Sequence, residues 1–389
     1  MSETAASVVG MRILHTSDWH VGRTFHGRDL LAEQESVLGG LADLVVDEKV
    51  DVVVVSGDLY DRAVPSADAV GVCARVLMRI REAGARIVIT PGNHDSAARI
   101  GVFGEFAKFG GLFLRTRITD LDQPVLLEDA HGPVALYGIP FLEPEPARHA
   151  LNVESRSHAG VLTEAMRRIR SDLATRESRS VVLAHAFVTG GAPSESERTI
   201  AVGGVQDVSS AVFEGIDYVA LGHLHGPQTL AEHLRYSGSP LAYSFSEARQ
   251  RKSVWLVELG PEGLSGVERR ELPVPRRLAT LTGRLDELLS APEHEEVEDH
   301  FLSFVLTDQV RPMDSLRQLQ KRFPHAVHVE WRPEEGRAHT MTYAERVRGR
   351  TDEEVACCFV SDSRGAEPND RERDLLREAF AAVAREKLT

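Results

Sequence analysis

Short apolar runs alternate with amphipathic stretches along the first two thirds of the chain. Runs of four or five residues have the length of buried strands, so we predict strands over residues 12–16, 52–56, 86–90, 133–137, 181–184 and 218–221. Two stretches between these runs carry apolar residues at helical spacing, first Leu38, Leu41, Leu44 and Val45, and then Val70, Val76, Leu77 and Ile80. Strands that alternate with helices are typical of an α/β fold.

The pattern changes in the last third of the chain. A hairpin-rich segment is predicted over residues 235–246 and 253–259, and a polar, proline-containing stretch at 271–277 indicates a domain boundary. Beyond it we predict helix, strand, helix and strand over residues 281–289, 301–307, 313–323 and 326–331, with an acidic loop at 295–299. Two helical pieces follow, and the second opens with Asn369 and Glu372 in capping-box spacing. We expect this helix to bury one apolar face, formed by Leu375, Leu376, Phe380 and Val383.

Length and composition indicate a globular protein of more than one domain. A chain of 389 residues is too long to fold around a single hydrophobic core of ordinary size. Its content of 42% hydrophobic and 27% charged residues is typical of a globular protein. We expect a disordered leader over residues 1–10, which lacks the features of a secretion signal, and a large domain over 11–275. A small domain over 276–345 and a C-terminal helical segment over 346–389 would follow.

Charge and cysteine content narrow the class further. The net charge of −14 argues against a protein that coats DNA by bulk electrostatics, so any nucleic-acid contact must be local or come from a partner. Cys73, Cys357 and Cys358 cannot form a disulfide framework, which favours a reducing cytoplasm. No apolar run approaches the roughly 20 residues that span a bilayer.

Residue types that bind metals follow five of the six predicted strands. They are Asp18 and His20, then Asp58 and Asp61, then Asn93, His94 and Asp95, then His185, and finally His223 and His225. Ligands gather outside the carboxyl ends of strands in open α/β sheets, so we expect these side chains to lie together. A single histidine at a strand end is usually structural, and Asn-His-Asp is common in turns. Five such features in register with strand ends indicate one site.

The spacing suggests how the side chains would converge. Asp18 and His20 are two residues apart, and on an extended segment they would point to the same side and chelate one ion. Glycine precedes Asp58, Asn93 and His223, which permits tight turns and close approach of the backbone.

The number and type of these side chains favour two divalent ions. Mixed imidazole and carboxylate ligands suit manganese, iron or zinc better than magnesium or calcium. A structural zinc site would be closed, with four ligands, whereas there are too many candidates here for one ion. Two ions about 3.5–4 Å apart hold phosphoryl oxygens and lower the pKa of bound water. Their four positive charges exceed the two negative charges of Asp18 and Asp58, so an acidic protein could still capture a phosphodiester. A serine hydrolase is disfavoured, because the sequence has no G-x-S-x-G elbow.

These motifs resemble the signature of the calcineurin-like metallophosphoesterases. Within that superfamily, residues 15–23, 197–204 and 235–247 are similar to SbcD-type exonuclease subunits. The resemblance covers residues 11 to about 276 well, the following region in outline and the C-terminal helices weakly. It implies an α/β fold in which two β-sheets form a sandwich flanked by helices, with a small α+β cap domain and C-terminal helices. The pattern alone would give a single doubly wound sheet.

The resemblance also implies roles for individual residues. One ion would be held by Asp18, His20, Asp58 and His225, and the other by Asp58, Asn93, His185 and His223. Manganese is the implied metal, with Fe²⁺, Zn²⁺ and Mg²⁺ as alternatives. His94 is similar to a histidine that contacts the scissile phosphate and assists the leaving oxygen. Asp95 would orient the His94 ring, and Asp61 would brace the loop of Asp58.

The implied activity is manganese-dependent 3′–5′ exonuclease action on duplex DNA ends, with endonuclease action on single strands and hairpins. Such subunits act in DNA repair and recombination with an SbcC-type coiled-coil ATPase, as a homodimer within a heterotetramer in the cytoplasm and on the nucleoid. This sequence has no P-loop of its own. Two other hypotheses remain open: a phosphatase or cyclic-nucleotide diesterase on the same metal core, and a scaffold that holds an ATPase on DNA.

The resemblance also implies roles for three surfaces, and for two of them an ordinary structural role is an alternative. The face formed by Leu375, Leu376, Phe380 and Val383 would dock the ATPase, or else would pack on its own domain. The cap would limit which DNA ends reach the metals. Arg23, His26 and Arg28 could meet DNA phosphates, or form a solvated basic loop.

Overall fold

The chain divides into two compact units, Met1–Pro275 and Arg276–Thr389. The computed structural model describes residues 10–200, 207–333, 347–364 and 367–386. The predicted leader, except for Gly10, and the predicted boundary at residue 345 lie outside the described residues, as does the end of the motif at 197–204.

The strands of the first unit include all six that the apolar runs predicted. They are β1 Met11–Thr16, β2 Thr24–Phe25, β3 Arg28–Asp29, β4 Val52–Ser56, β5 Arg86–Thr90, β6 Leu112–Leu114, β7 Val125–Asp129, β8 Gly132–Ile139, β9 Arg179–His185, β10 Tyr218–Gly222, β11 Gln228–Ala231, β12 Leu234–Tyr236, β13 Ser253–Gly260 and β14 Gly263–Glu271. Its helices are α1 Leu31–Asp47, α2 Ala67–Glu82, α3 Ala97–Ile100, α4 Gly104–Ala107, α5 Pro144–Leu151 and α6 His158–Leu173.

Two six-stranded sheets form a sandwich in this unit. Their strand orders are β14-β13-β1-β4-β5-β6 and β11-β12-β10-β9-β8-β7. Residues of both sheets share one apolar core, with Ile13 and Val54 from the first and Leu136, Leu183 and Ala220 from the second. The sandwich implied by the resemblance is therefore confirmed, and a single doubly wound sheet is wrong.

Helices cover the sheets. On the second sheet, Val161, Met166 and Ile169 of α6 pack in one cluster with Tyr137 and Val182. Helix α2 contacts both α1 and β5. The buried face of α2 includes Ala69, Val72, Cys73, Val76 and Ile80, whereas the predicted stripe residue Val70 is exposed, because it lies outside the arc that these positions define.

The predicted hairpin over residues 235–246 is wrong. Strand β12, which ends at Tyr236, pairs antiparallel with β11 before it and parallel with β10, and the next hairpin is β13 with β14. The intervening residues 237–252 form loops and one 3-10 turn, Phe245–Glu247. This irregular segment brings buried polar side chains towards the carboxyl end of β10.

The second unit is built on a parallel three-stranded sheet of β15 Leu278–Gly283, β16 Phe301–Leu306 and β17 Ala326–Trp331. Its helices are α7 Leu285–Ser290, α8 Ser315–Leu319, α9 Asp352–Arg364 and α10 Asp370–Glu386. Strand β15 takes the place of the first part of the helix predicted over 281–289, because its half-exposed side chains leave no apolar run. The helix predicted over 313–323 shrinks to α8, and the acidic loop includes a 3-10 turn, Pro292–Val297.

Helix α10 has the predicted start but not the predicted burial. The amide of Asn369 donates to Glu372 Oε2 (2.8 Å), and the amide of Glu372 donates to Asn369 Oδ1 (3.0 Å), so the capping box forms. The apolar face is not buried within the chain: Leu375, Phe380 and Val383 are 58%, 36% and 49% exposed, and Leu376 is half-buried. Within the described residues, no helix combines the length and apolarity needed to cross a membrane.

Candidate metal centre

The seven predicted ligands come together at the carboxyl ends of β1, β4, β5, β9 and β10. All are buried apart from the half-buried Asn93, and the others are Asp18, His20, Asp58, His185, His223 and His225. Because β1, β4 and β5 are neighbours in one sheet and β9 and β10 in the other, the site lies where one end of each sheet meets.

The loops that carry these residues are not extended. Asp18, His20, Asp58 and His223 all have positive φ, at 52°, 46°, 50° and 107°. The explanation from extended spacing is therefore wrong for Asp18 and His20, and two backbone hydrogen bonds shape the turn instead. Asp18 N donates to Gly57 O (3.0 Å), and His20 N donates to Asp58 O (2.9 Å). Left-handed backbone at non-glycine residues costs about 1–2 kcal/mol each and persists where surrounding contacts enforce it.

Glycines allow the loops to approach, as predicted. A Cβ at Gly57 would lie 2.1 Å from His185 Nδ1, and one at Gly92 would lie 2.1 Å from Asp58 Oδ1. At Gly222 it would lie only 1.7 Å from the Ser56 carbonyl oxygen. Any side chain at these positions would push the candidate ligands apart.

Asp58 lies between the two groups of histidines. Its Oδ2 is 3.6 Å from His20 Nε2 and 3.5 Å from His185 Nε2. Within the described part of the chain, three groups of side chains lie close enough together to hold an ion: Asp18, His20 and His225; Asp18, Asp58 and His185; and His20, Asp58 and His94. The amide of His223 donates to both carboxylate oxygens of Asp18 (3.1 Å each), and its ring centroid is 5.3 Å from that of His185.

The side-chain atoms around His185 Nε2 are suited to bind a cation. Its Nδ1 donates to the Ser56 carbonyl (3.0 Å), so the neutral ring presents an Nε2 lone pair. That atom faces Asn93 Oδ1 at 2.8 Å and Asp58 Oδ2 at 3.5 Å, and all three are acceptors. Acceptors converge in this way where a positive ion can sit among them. Likewise, His20 and His225 present their Nε2 atoms to each other at 3.1 Å, the spacing of two ligands that are each about 2 Å from one ion.

Burial keeps His20, His185 and His223 in the neutral form that binds metals. It lowers the pKa of His185 to about 4, and burial with neighbouring imidazoles lowers the pKa of His20 and His223 well below the usual value. Burial raises the pKa of Asp18, and repulsion from Asp58 raises it further. A divalent ion would relieve that repulsion. The structure therefore has buried histidine and aspartate clusters suitable for divalent metals.

The structure changes the roles expected for the two aspartates beside His94. The Nδ1 of His94 donates to the backbone carbonyl of Asp61 (2.8 Å), so Asp61 orients the ring. The carboxylate of Asp95 instead accepts from the amides of Leu59 (3.0 Å), Tyr60 (2.9 Å) and Gly92 (3.0 Å). Asp95 thus braces the loops of Asp58 and Asn93, and its expected contact with the His94 ring is wrong.

The predicted basic residues separate in the structure. Arg23 donates to the Ser196 carbonyl (2.8 Å), lies over the Tyr243 ring (5.0 Å) and approaches Asp61 (3.8 Å). It therefore links loops around the site. His26 and Arg28 lie on the exposed hairpin formed by β2 and β3, where the His26 ring lies beside Phe25 and Phe245.

Sequence reasoning missed a buried polar layer behind His225. Ser196 Oγ lies 2.5 Å from His225 Nδ1 and donates to Glu247, which is paired with the ammonium of Lys252. Glu197 Oε1 accepts the His225 amide (2.8 Å). Burial opposes ionisation of Glu247, but Lys252 outweighs it and lowers the pKa of that carboxyl. Ser196 lies in a loop and Glu247 ends a 3-10 turn, so no periodic pattern of apolar residues marked either of them.

Comparison with known proteins gives two family matches. Residues 11–227 match calcineurin-like phosphoesterases, and residues 274–363 match the SbcD_C family, described as the type 5 capsule protein repressor C-terminal domain. Similar solved structures include the protein TT1561 of Thermus thermophilus (15% identity, 67% of this chain and 99% of that chain, TM-score 0.41). A second is a calcineurin-like phosphoesterase from Bacillus subtilis (15% identity, 68% of this chain and 91% of that chain, TM-score 0.36). A third is a dimetal phosphatase from Danio rerio (14% identity, 68% of this chain and 99% of that chain, TM-score 0.37).

The two matches occur in the order expected for an SbcD-type subunit and cover both units of the chain. The first spans more than half of the sequence and contains every candidate ligand. The chain belongs to the calcineurin-like phosphoesterase family.

Proposed function

We propose that this protein is a two-metal DNA nuclease, with 3′–5′ exonuclease activity on duplex ends and endonuclease activity on single strands and hairpins. The family fold implies a metal-dependent phosphoester hydrolase, and the SbcD_C match supports a nuclease subunit. The observation that carries the proposal is the convergence of buried acceptors around Asp58, with His94 alongside.

The proposed ligands divide around Asp58. One ion would be held by Asp18, His20, Asp58 and His225, and the other by Asp58, Asn93, His185 and His223. Manganese is the proposed metal. Bound divalent ions polarise phosphoryl oxygens and lower the pKa of water. The protein contributes fixed geometry, since backbone hydrogen bonds tie the loop of Asp18 and His20 to the loop of Asp58.

His94 would move a proton at the leaving oxygen. Its Nδ1 is committed to the Asp61 carbonyl, so only Nε2 can exchange a proton with substrate. The amide of His94 also donates to Asp58 Oδ1 (2.9 Å), which fixes the ring relative to the proposed bridging ligand. Positioned acid–base groups of this kind contribute about 10²–10⁴-fold to rate.

The second unit has a proposed role in substrate and partner selection. We propose that residues 276–345 form a cap that restricts which DNA ends are cut. The exposed apolar face of α10 would dock an SbcC-type ATPase in the cytoplasm and on the nucleoid. The SbcD_C match supports such a partnership, and the exposure of Leu375 and Val383 leaves that face accessible within the chain.

A homodimer is also proposed, and an apolar patch on the first unit supports it. Val102, Phe103, Phe106 and Phe109 are 67–84% exposed within eight residues, more than isolated surface apolar residues would require. We expect Phe106→Ser with Phe109→Ser to give the monomer mass by light scattering. The control Met78→Ser changes an exposed residue on α2 and should leave the dimer mass unchanged. A wild-type chain that is monomeric at micromolar concentration would contradict this proposal.

Incubation of the full chain with Mn²⁺ and a 5′-labelled duplex tests the activity. Progressive shortening of the oligonucleotide that EDTA abolishes supports the proposal. Turnover of p-nitrophenyl phosphate or a cyclic nucleotide alone would favour the phosphatase or diesterase alternative. No turnover of either substrate would favour a scaffold.

A further inference from the structure

The buried layer behind His225 contains a cation and an anion that the proposed chemistry does not use. Glu247 and Lys252 are almost completely buried and paired with each other. The Lys252 ammonium also lies within hydrogen-bond distance of the His225 carbonyl (2.9 Å), Ser239 Oγ (3.0 Å) and Gln250 Oε1 (2.9 Å), so its three hydrogens are shared among these acceptors and Glu247. A buried ion pair seldom stabilises a fold by itself, so stability alone does not explain why this pair lies beside the candidate ligand His225.

Hydrogen-bond directions in this layer determine the tautomer of His225. The Ser196 hydroxyl has one hydrogen and donates it to Glu247 Oε1. Its oxygen can then only accept from His225 Nδ1, 2.5 Å away, so Nδ1 carries the ring hydrogen. The Nε2 lone pair is left facing His20 Nε2 at 3.1 Å.

We propose that Ser196, Glu247 and Lys252 form a positioning relay that fixes His225 as the Nδ1–H tautomer and so presents its Nε2 to the metal. Lys252 holds Glu247 in place, Glu247 takes the hydroxyl hydrogen, and Ser196 accepts from the ring. The same ammonium holds the backbone carbonyl of His225, so the relay fixes both ends of that residue. This inference rests on the proposed function, because it concerns a proposed metal ligand. Partners of this kind behind a ligating histidine typically change metal affinity by about 10–100-fold.

Binding of Mn²⁺ by the full chain, measured by calorimetry, tests the relay. Ser196→Ala should weaken one of two Mn²⁺ sites by about 10–100-fold and leave the other unchanged, because His185 has its own tautomer-fixing partner in the Ser56 carbonyl. Ser196→Thr keeps the hydroxyl and should restore the affinity. The matched control is Ser180→Ala, which removes a buried hydroxyl-to-carboxylate hydrogen bond to Asp217 (2.9 Å) at the opposite end of β9.

The outcomes separate the relay from the proposed function. Two Mn²⁺ ions on the wild-type chain, with selective loss of one in Ser196→Ala, support both. If the wild type binds two ions and Ser196→Ala binds them with unchanged affinity, the relay is overturned and the metal centre stands. Equal weakening of both sites, matched by a lower melting temperature of the metal-free chain, indicates a structural role and also overturns the relay. A wild type that binds no pair of ions overturns the proposed metal centre itself.

Discussion

Asp61 and Asp95 hold different parts of the site. The first offers a backbone carbonyl to the ring, whereas the second accepts three loop amides with its side chain. A backbone carbonyl survives substitution of its residue, but a carboxylate does not. The two positions should therefore respond very differently to alanine.

We predict that Asp95→Ala destabilises the metal-free chain by about 1–3 kcal/mol, because three loop amides lose their acceptor. Burial raises the pKa of Asp95 to about 7, so removal of this carboxyl offsets part of that loss. Asp61→Ala is the matched control and should cost less than about 1 kcal/mol, since the carbonyl that holds His94 remains. Urea unfolding followed by circular dichroism measures both. Equal losses in the two variants would contradict the roles assigned here.

His94→Gln should lower DNA cleavage by about 10²–10⁴-fold while both metal ions remain bound. The ring lies close enough to His20 and Asp58 to join a ligand-capable group, so metal retention is the informative readout. Elemental analysis of the purified variant gives the number of ions per chain. Loss of one ion would mean that His94 is a ligand and not the residue that protonates the leaving oxygen.

His15 should make the fold sensitive to mild acid. It lies buried between the sheets, where Nδ1 accepts from the Tyr218 hydroxyl (2.8 Å) and Nε2 donates to the Leu221 carbonyl (3.1 Å). Burial lowers its pKa to about 3. In the unfolded chain His15 takes up a proton near pH 6.5, whereas in the folded chain it stays neutral down to about pH 3. The free energy of unfolding therefore falls as the pH drops from 6.5 towards 3.

His15→Gln removes this proton uptake. Between about pH 7 and pH 5 the wild type should lose about 2 kcal/mol more stability than the variant, because one pKa unit corresponds to about 1.4 kcal/mol. The comparison uses urea unfolding of the metal-free chains at both pH values, which cancels the contribution of the other buried histidines. Identical pH dependence in the two proteins would show that His15 does not stay neutral.

At the scale of elements, the sequence predicted where the buried strands end but not which strands pair with one another in the sheets. Residues 52–55 of β4 are apolar throughout because both faces of this strand are covered, and such runs stand out in a sequence. Pairing of β1 with β13, which is more than 200 residues away, leaves no local signal. Strand β15 was missed because its faces are only half-buried. Asp95 was given the wrong role because its partners are backbone amides, which no residue type reveals.

Gly222 of β10 lies against Ser56 of β4, where the ends of the two sheets meet. A methyl group at Gly222 would lie 1.7 Å from the Ser56 carbonyl oxygen, so Gly222→Ala must separate the sheet ends. We predict a loss of about 1–3 kcal/mol in unfolding free energy. We also predict weaker Mn²⁺ binding, because the loops that follow these two strands carry His223 and Asp58. Gly40→Ala in α1 meets no atom within 4 Å and should stabilise the chain by about 0.5–1 kcal/mol. Loss of stability in both variants would contradict this packing argument.

At the scale of the whole molecule, the net charge of −14 makes nonspecific attraction to DNA weak. Any affinity of the isolated chain should then come from positive charge at the metal centre, where two divalent ions would outweigh Asp18 and Asp58. The slowly cleaving His94→Gln chain allows this to be measured without losing the substrate. With Mn²⁺ bound, it should bind a fluorescent duplex, and EDTA should weaken that binding at least about tenfold. The slope of log K against log salt should be about −2, since few phosphates are contacted. Affinity that survives EDTA would place the DNA-binding charge elsewhere on the surface, and restoration by added Mn²⁺ would place it at Asp58 and its neighbours.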